Sequence, residues 1–444
     1  MIRKERGLFE LYDNDPERAD ALVFGRRTGP SRRGFLRGAG LAALAAAVGG
    51  SVIFASRMPA GLIPAALAQD KGPAPPFLFE GKARDLIVLQ DRPLNAETPI
   101  HLLDPDVTPT EVMFIRNNGQ IPEPVADPKA WTVTIDGEVN APLRLTLGEL
   151  ESRFTPLTLR LQLECGGNGR SFFVPETRGN QWGHGAVHQA EWTGVRLKDV
   201  LETAGLKPTA VYTGHYGADP HLSGDPARQA LSRGIPIAKA MEEHTIIALR
   251  VNGQPIPQVH GAPARLIAPG WPGSTSQKWL TRIWIRDRVH DGQGMTGTSY
   301  RLARFPVVPG SAVDEKDTVI LESMPVRSII TSPAHGTELP ADTRRIDLRG
   351  HAWAGERSVR AVDISIDYGA TWHKTELDPP KNEYAWQNWR ATVGLPTHGY
   401  YELWVRATDS DGTMQPAVAG NWNPQGYGGN PMHRIAVLVP AKGA

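Results

Sequence analysis

The chain has 444 residues, 40% of them hydrophobic and 21% charged, and its 48 Lys and Arg against 47 Asp and Glu leave a formal charge of +1. That is enough apolar sequence for two cores, and with 46 Gly and 38 Pro the composition is that of a loop-rich globular protein, which excludes wholesale disorder, collagen and coiled coil. Near-neutral charge argues against nucleic acid as a partner, and a single cysteine, Cys165, excludes an intramolecular disulfide, a Cys-only zinc site, a Cys-ligated iron–sulfur cluster and a C-x-x-C-H haem attachment within the chain.

From the amino terminus, Ser31-Arg32-Arg33-Gly34-Phe35-Leu36 has the form of a twin-arginine export signal, followed by an uncharged Ala- and Gly-rich run over residues 38–56 and an Ala66-Leu67-Ala68 cleavage site. Residues 1–68 are therefore expected to be a cleaved signal. Gly38, Gly40, Gly49 and Gly50 dilute the hydrophobicity of the run, and an uncleaved membrane anchor is the alternative. Export by this route delivers folded protein to the periplasm, and a cofactor inserted in the cytoplasm is a common reason for folding first.

Over residues 69–322 short apolar runs alternate with Pro and Gly. The pattern predicts helices over 147–154, 197–204 and 236–241, with Thr146 as an N-cap and Pro236 in an opening turn. Strands are predicted over 131–135, 158–163, 245–251, 264–267 and 280–285. This is an α+β reading, a mixed α/β domain. Over residues 323–444 the helical period is lost. Strands at 345–349, 359–366, 389–393, 400–407 and 435–439, with turn signals between several of them, predict a β-sandwich.

The predicted strand 158–163 runs into Glu164-Cys165-Gly166-Gly167-Asn168-Gly169-Arg170. A lone cysteine at a strand end is ordinarily an inert buried thiol. Here three glycines within four residues let backbone approach a ligand closely, and Arg170 is suited to hold the sulfur as the metal-binding thiolate. A soft thiolate as the only protein ligand suits a metal whose other ligands come from a cofactor.

Leu163-Glu164-Cys165-Gly166-Gly167-Asn168-Gly169-Arg170 resembles the molybdenum-binding segment of the sulfite oxidase family, and other segments resemble that family in the same order. They are Phe114-Ile115-Arg116-Asn117-Asn118-Gly119, Trp182-Gly183-His184, Asn252-Gly253-Gln254-Pro255, His260-Gly261-Ala262-Pro263-Ala264-Arg265, Ser276-Gln277-Lys278-Trp279 and Thr298-Ser299-Tyr300-Arg301. Gly350-His351-Ala352-Trp353 and Trp422-Asn423-Pro424 resemble its dimerisation domain, which implies an immunoglobulin-like sandwich and a homodimer.

The resemblance implies that Cys165 binds molybdenum beside the dithiolene of one molybdopterin. Arg116, Arg170, Trp182 and Tyr300 would form the catalytic pocket. Asn117, Asn118, Asp219, His260, Arg265, Ser276, Gln277 and Lys278 would bind the cofactor. Arginines there suit an oxyanion such as sulfite, because a guanidinium presents a planar fork of donors and stays charged.

Two departures bear on substrate and acceptor. Where animal members carry an arginine shortly after the Trp-Asn pair, this chain has Gln425, and no segment corresponds to their haem domain. Electrons are then expected to pass to a separate acceptor, such as a periplasmic cytochrome c. The alternative readings are a sulfane dehydrogenase subunit of a thiosulfate-oxidising system and a non-catalytic interaction module. Gly292-Gln293-Gly294-Met295-Thr296-Gly297 matches G-x-G-x-x-G, but with no helix pattern behind it a nicotinamide site is not expected.

Overall fold

The computed structural model describes residues 78–442; the expected signal at 1–68 lies outside the described residues. The described residues fall within one compact unit. Two larger sheets, one mixed and one antiparallel, build its first part. One sheet runs Leu143–Thr146, Thr132–Gly137, Leu280–Arg286 and Tyr212–Gly217, with Leu280–Arg286 parallel to Thr132–Gly137 and antiparallel to Tyr212–Gly217. The other runs Gln254–Pro255, Ile246–Val251, Val187–Arg196 and Leu157–Glu164, with Arg265–Ile267 also paired to Ile246–Val251.

The helices form where local chemistry favours them. Thr146 accepts the Glu149 N–H on its hydroxyl at 3.1 Å, and the Glu149 carboxylate accepts the Thr146 N–H at 2.8 Å. This capping box opens Leu147–Arg153. Leu197–Ala204 buries Leu197, Val200, Leu201 and Ala204 along one face and stops at Gly205, where φ is +68°. Both helices pack on Val133, Ile135, Ile283 and Ile285 in one core. Pro236 stands just before the single turn Ile237–Ala240, at its N-cap, because it bridges to Tyr212 on the neighbouring strand.

The ten-residue strand Val187–Arg196 is absent from the sequence expectation. Its text, with His188, Gln189, Glu191, Thr193 and Gly194, does not alternate as a half-buried strand does. It lies between two other strands, and its buried Gln189 finds partners: the Gln189 N–H donates to Thr108 Oγ1 and Gln189 Nε2 to the Asp106 carbonyl. Tertiary pairing overrides the local pattern there.

The second part is a sandwich. One sheet orders Arg327–Ser332, Arg345–Trp353, Gln387–Gly394 and Glu376–Leu377; the other orders Thr337–Glu338, His433–Val439, Gly399–Asp409, Val359–Ser365 and His373–Lys374. Leu348, Trp389, Val405, Ile435 and Val437 fill the space between them. The predicted strand at 345–349 extends to Trp353, carrying His351 and Trp353 into contact with the first part.

That contact is polar at its centre. Arg327 Nε stands 2.7 Å from Glu164 Oε1, with both side chains fully enclosed. Trp353 Nε1 donates to Glu164 Oε2 at 2.7 Å, and Asn168 Nδ2 to Oε1 at 2.9 Å. Arg327 Nη2 donates to the carbonyls of Asn168 and Gly429. A buried ion pair adds little net stability, but removing one partner strands the other charge. Arg327→Met is therefore expected to destabilise the protein by about 3–5 kcal/mol, and Arg327→Met combined with Glu164→Gln by clearly less. Urea unfolding of the two variants checks this.

Candidate functional site

Cys165 continues the ladder of Leu157–Glu164 by one step, its N–H donating to the Ala186 carbonyl at 2.9 Å. There the strand ends and a tight loop begins. The Asn168 N–H donates back to the Cys165 carbonyl at 2.9 Å, and the Gly169 N–H to the Gly183 carbonyl at 2.7 Å. Gly169 has φ of +81°, and a Cβ there would lie 2.3 Å from the Gly429 carbonyl oxygen, so only glycine fits.

Cys165 opens onto a cavity whose walls come from widely separated stretches of chain, from Phe114 to Tyr300. Of the residues singled out from sequence, Arg116, Asn117, Asn118, Cys165, Asp219, His260, Arg265, Ser276, Gln277, Lys278 and Tyr300 all line it. Arg170 and Trp182 do not. Arg170 is directed elsewhere: Nε donates to the Gln425 carbonyl at 2.8 Å, Nη1 to the Asn180 carbonyl at 2.9 Å, and its guanidinium lies 5.2 Å from the Tyr427 ring centroid. It ties the loop to the sandwich instead of facing the sulfur. Trp182 is fully buried behind the wall, edge-on to Phe114 at 6.1 Å and clustered with Cys165.

Sequence reasoning missed His188, Phe114, Leu231, Gly273, Ser274 and Trp279 as wall residues, and Lys82 behind them. Lys82 Nζ donates to the carbonyls of Thr110 and Met113, each at 2.7 Å, and lies 3.0 Å from His260 Nε2. An ammonium only donates, so with Lys82 charged His260 Nε2 accepts and its ring proton sits on Nδ1. Two wall residues, Trp279 and Tyr300, hold φ of +48° and +50°, a left-handed conformation costing about 1–2 kcal/mol for residues other than glycine. Such strain gathers where a fold serves a site.

The electrostatics are one-sided. Lys278 Nζ donates to Asn117 Oδ1 at 2.6 Å and to the Val259 carbonyl at 2.7 Å, while Arg265 donates to the carbonyls of Ser276 and His260. Burial lowers Arg265 to about 9 and Lys82 to about 7, and with help from Arg265 it holds Lys278 well below its ordinary value. Burial likewise keeps His188 and His260 neutral. The carboxylate facing this group is Asp219, raised to about 6 by burial and pulled back by Lys278. Both ring nitrogens of His188 and the Gln277 Oε1 have no hydrogen-bond partner.

These features test the expected cofactor. Crowded cations with little counter-charge fit a bound phosphate. Unpartnered His188 and Gln277 groups fit a heterocycle edged with donors and acceptors. Among the described residues no group of three or more His, Cys, Asp and Glu gathers as a ligand set, which leaves Cys165 as a solitary soft donor at the wall. The residues present fit molybdopterin.

The family model "Oxidoreductase molybdopterin binding domain" matches residues 118–293, and "Mo-co oxidoreductase dimerisation domain" matches residues 318–439. The chain is 32% identical over 392 residues to sulfite oxidase of Gallus gallus, covering 83% of this chain and 82% of that protein. It is 34% identical over 377 residues to mitochondrial sulfite oxidase of Homo sapiens, covering 80% of this chain and 66% of that protein. The crystal structure of the sulfane dehydrogenase SoxCD from Paracoccus pantotrophus superposes with a TM-score of 0.66 at 26% identity, covering 88% of this chain and 93% of that one.

Charge-assisted hydrogen bonds of this kind contribute about 1.5–3 kcal/mol each, so Lys278→Met and Arg265→Met are each expected to lower cofactor affinity about tenfold or more. Molybdenum and pterin per chain after gel filtration measure it. The folded pKa of Lys82 lies below its ordinary 10.5. Burying it therefore costs stability in full below pH about 7, and the cost fades as pH rises toward 10.5. In cofactor-free protein, the melting temperature of the wild type is expected to rise relative to Lys82→Met between pH 7 and 10.

Proposed function

The chain belongs to the sulfite oxidase family of molybdopterin-binding oxidoreductases, and on that premise we propose that it oxidises sulfite to sulfate and passes two electrons to an external acceptor such as cytochrome c. The observation that carries this reading is the single cavity on whose walls Cys165, Arg116 and Tyr300 stand with the cationic group around Lys278. The balanced change is sulfite plus water to sulfate, two protons and two electrons.

When bound, the molybdenum cofactor supplies the two-electron redox change and the exchange of oxygen with water. The chain's own residues supply position and charge. Cys165 would hold the metal, while Lys278, Arg265, His260, Ser276 and Gln277 would hold the pterin and its phosphate. Arg116 is kept in place by Asn118 Oδ1 at 2.6 Å and by the Asn117 carbonyl, and its fixed charge attracts the anionic substrate. Tyr300 is clamped by its stack on Tyr427, centroids 4.8 Å apart, and its hydroxyl is the donor available to a substrate oxygen. Trp182 and Phe114 exclude water from the region behind Cys165.

A second reading, oxidation of sulfane sulfur, is favoured by Gln425 in place of the arginine of animal members and by the structural likeness to a sulfane dehydrogenase. The dimerisation-domain match supports a homodimer, and the twin-arginine motif at 31–36 supports periplasmic export.

The test is sulfite-dependent reduction of ferricyanide and cytochrome c by protein loaded with molybdenum. Turnover by the wild type is expected, with a fall of more than about a hundredfold in Cys165→Ser, since losing even an outer-shell partner of a metal ligand typically costs 10–100-fold. Full molybdenum loading with turnover only on carrier-bound sulfane sulfur favours the second reading. A Cys165→Ser protein that keeps full turnover overturns both.

A further inference from the structure

Arg233 is fully enclosed, with 0% of its surface exposed, and no family motif quoted above includes it. Its guanidinium carbon stands 4.5 Å from the centroid of the Tyr300 ring. Nη1 reaches Ser274 Oγ at 3.5 Å, and Nε and Nη2 have no hydrogen-bond partner. The charged and titratable groups that face it are Tyr300, Tyr212, Tyr427, Arg301, His215 and His290, with no carboxylate among them. Leu231, Ser274 and Tyr300, all beside it, line the cavity.

A guanidinium stays charged at any working pH, and a buried charge without a counter-ion is among the costliest features a fold can carry. The cationic group around Lys278 has an explanation in the cofactor. Arg233 lies apart from it, on the Tyr300 side, where the family's extra arginine is replaced by Gln425. The Gln425 side chain donates to Thr298 Oγ1 at 3.3 Å, and its carbonyl accepts from Arg170, so its neighbourhood is that of Tyr300 without a charge of its own.

The glycine-rich string 292–297 also finds its use here. Gly294 has φ of +95°, and a Cβ there would lie 2.8 Å from Leu231 Cδ1 and 3.4 Å from Arg233 Cδ. Gly294 thus packs close against the stem of the arginine.

Resting on the proposed sulfur-oxyanion reading, we propose that Arg233 is the specificity-determining cation of the substrate end of this cavity, supplying across the Tyr300 ring the positive charge that position 425 lacks, and so selecting a small, doubly charged oxyanion. It acts through its field in a low-dielectric setting and not by contact, so it is a positioning and selecting group, separate from the catalytic residues.

The experiment uses molybdenum-loaded full chains of wild type, Arg233→Met, Arg233→Lys and the double variant Arg233→Met, Gln425→Arg. Sulfite kcat and KM are measured with the dissociation constant of sulfate by calorimetry, a readout that needs no turnover. A unit charge several ångströms away in a partly buried setting is worth tenfold or more in affinity. In Arg233→Met the sulfite KM and the sulfate constant are therefore expected to rise at least about tenfold, with kcat within about threefold and molybdenum content unchanged. Arg233→Lys and the double variant are expected to recover most of the loss. Where Arg233→Met fails to fold, Arg233→Gln against Arg233→Lys carries the same comparison. Unchanged sulfate affinity in a folded, loaded neutral variant overturns the proposal, and so does a loss that neither lysine nor Gln425→Arg restores. Sulfate binding that depends on Arg233 in a wild type without sulfite turnover upholds this anion site while the sulfite reading falls.

Discussion

The buried pair between Glu164 and Arg327 is the constraint on which the site depends. Glu164 is the last residue of its strand and the neighbour of Cys165, so whatever fixes its carboxylate fixes the sulfur. Three groups do so, Arg327 at 2.7 Å, Trp353 Nε1 and Asn168 Nδ2, and Arg327 is itself held by the carbonyls of Asn168 and Gly429. Arg327 and Trp353 belong to the sandwich. A domain whose matched description is dimerisation is thus also a brace for the metal-binding loop. The Gly428 N–H, donating to the Gly166 carbonyl at 3.0 Å, adds a backbone contact to the same brace. Charge burial that adds little net stability makes sense as a device for placing one atom.

The cavity itself is organised by a surplus of positive charge held out of water. Near Lys278 the surplus crowds until burial and mutual repulsion drive the ammonium and imidazole groups toward neutrality. Around Tyr300 it is carried by guanidinium groups, which resist deprotonation and stay charged. The two ends therefore differ in kind: one is soft in protonation and becomes fully charged only against a bound anion, the other is permanently cationic. Arg170, Tyr427, Tyr300 and Arg233 form successive contacts at that second end, joining the sandwich to the cavity through aromatic faces.

Much of this was legible in the residues. The helices at 147–153 and 197–204 showed in the text, the first with its Thr146 cap, and most strands of both parts showed as apolar runs between turn residues. The motif segments holding Arg116, Cys165, His260, Lys278 and Tyr300 converge on one cavity although they span 184 positions of sequence. Other features could not be read. His188 sits on a central strand whose polar text hides it, the neighbouring Gln189 being satisfied only by long-range partners, and Lys82 reaches His260 across 178 positions. Arg170 was read as a partner of the nearby sulfur because sequence spacing carries no direction; its donors face carbonyls of Asn180 and Gln425. Arg233 shows no motif at all, and only its enclosure and missing partners reveal it.

The dependence of the Cys165 loop on Gly428, Gly429 and the Gln425 carbonyl has a bearing on synthesis. The chain must emerge from the ribosome past Gly429 before the loop that carries the sulfur has its final wall. A nascent chain can form the first sheets and display every motif that lines the cavity, yet the loop stays open on one side until residues 425–429 arrive. Closure of the Cys165 loop therefore waits on synthesis far beyond the loop itself, and a chain cut before Gln425 would lack this wall however well its first half folds.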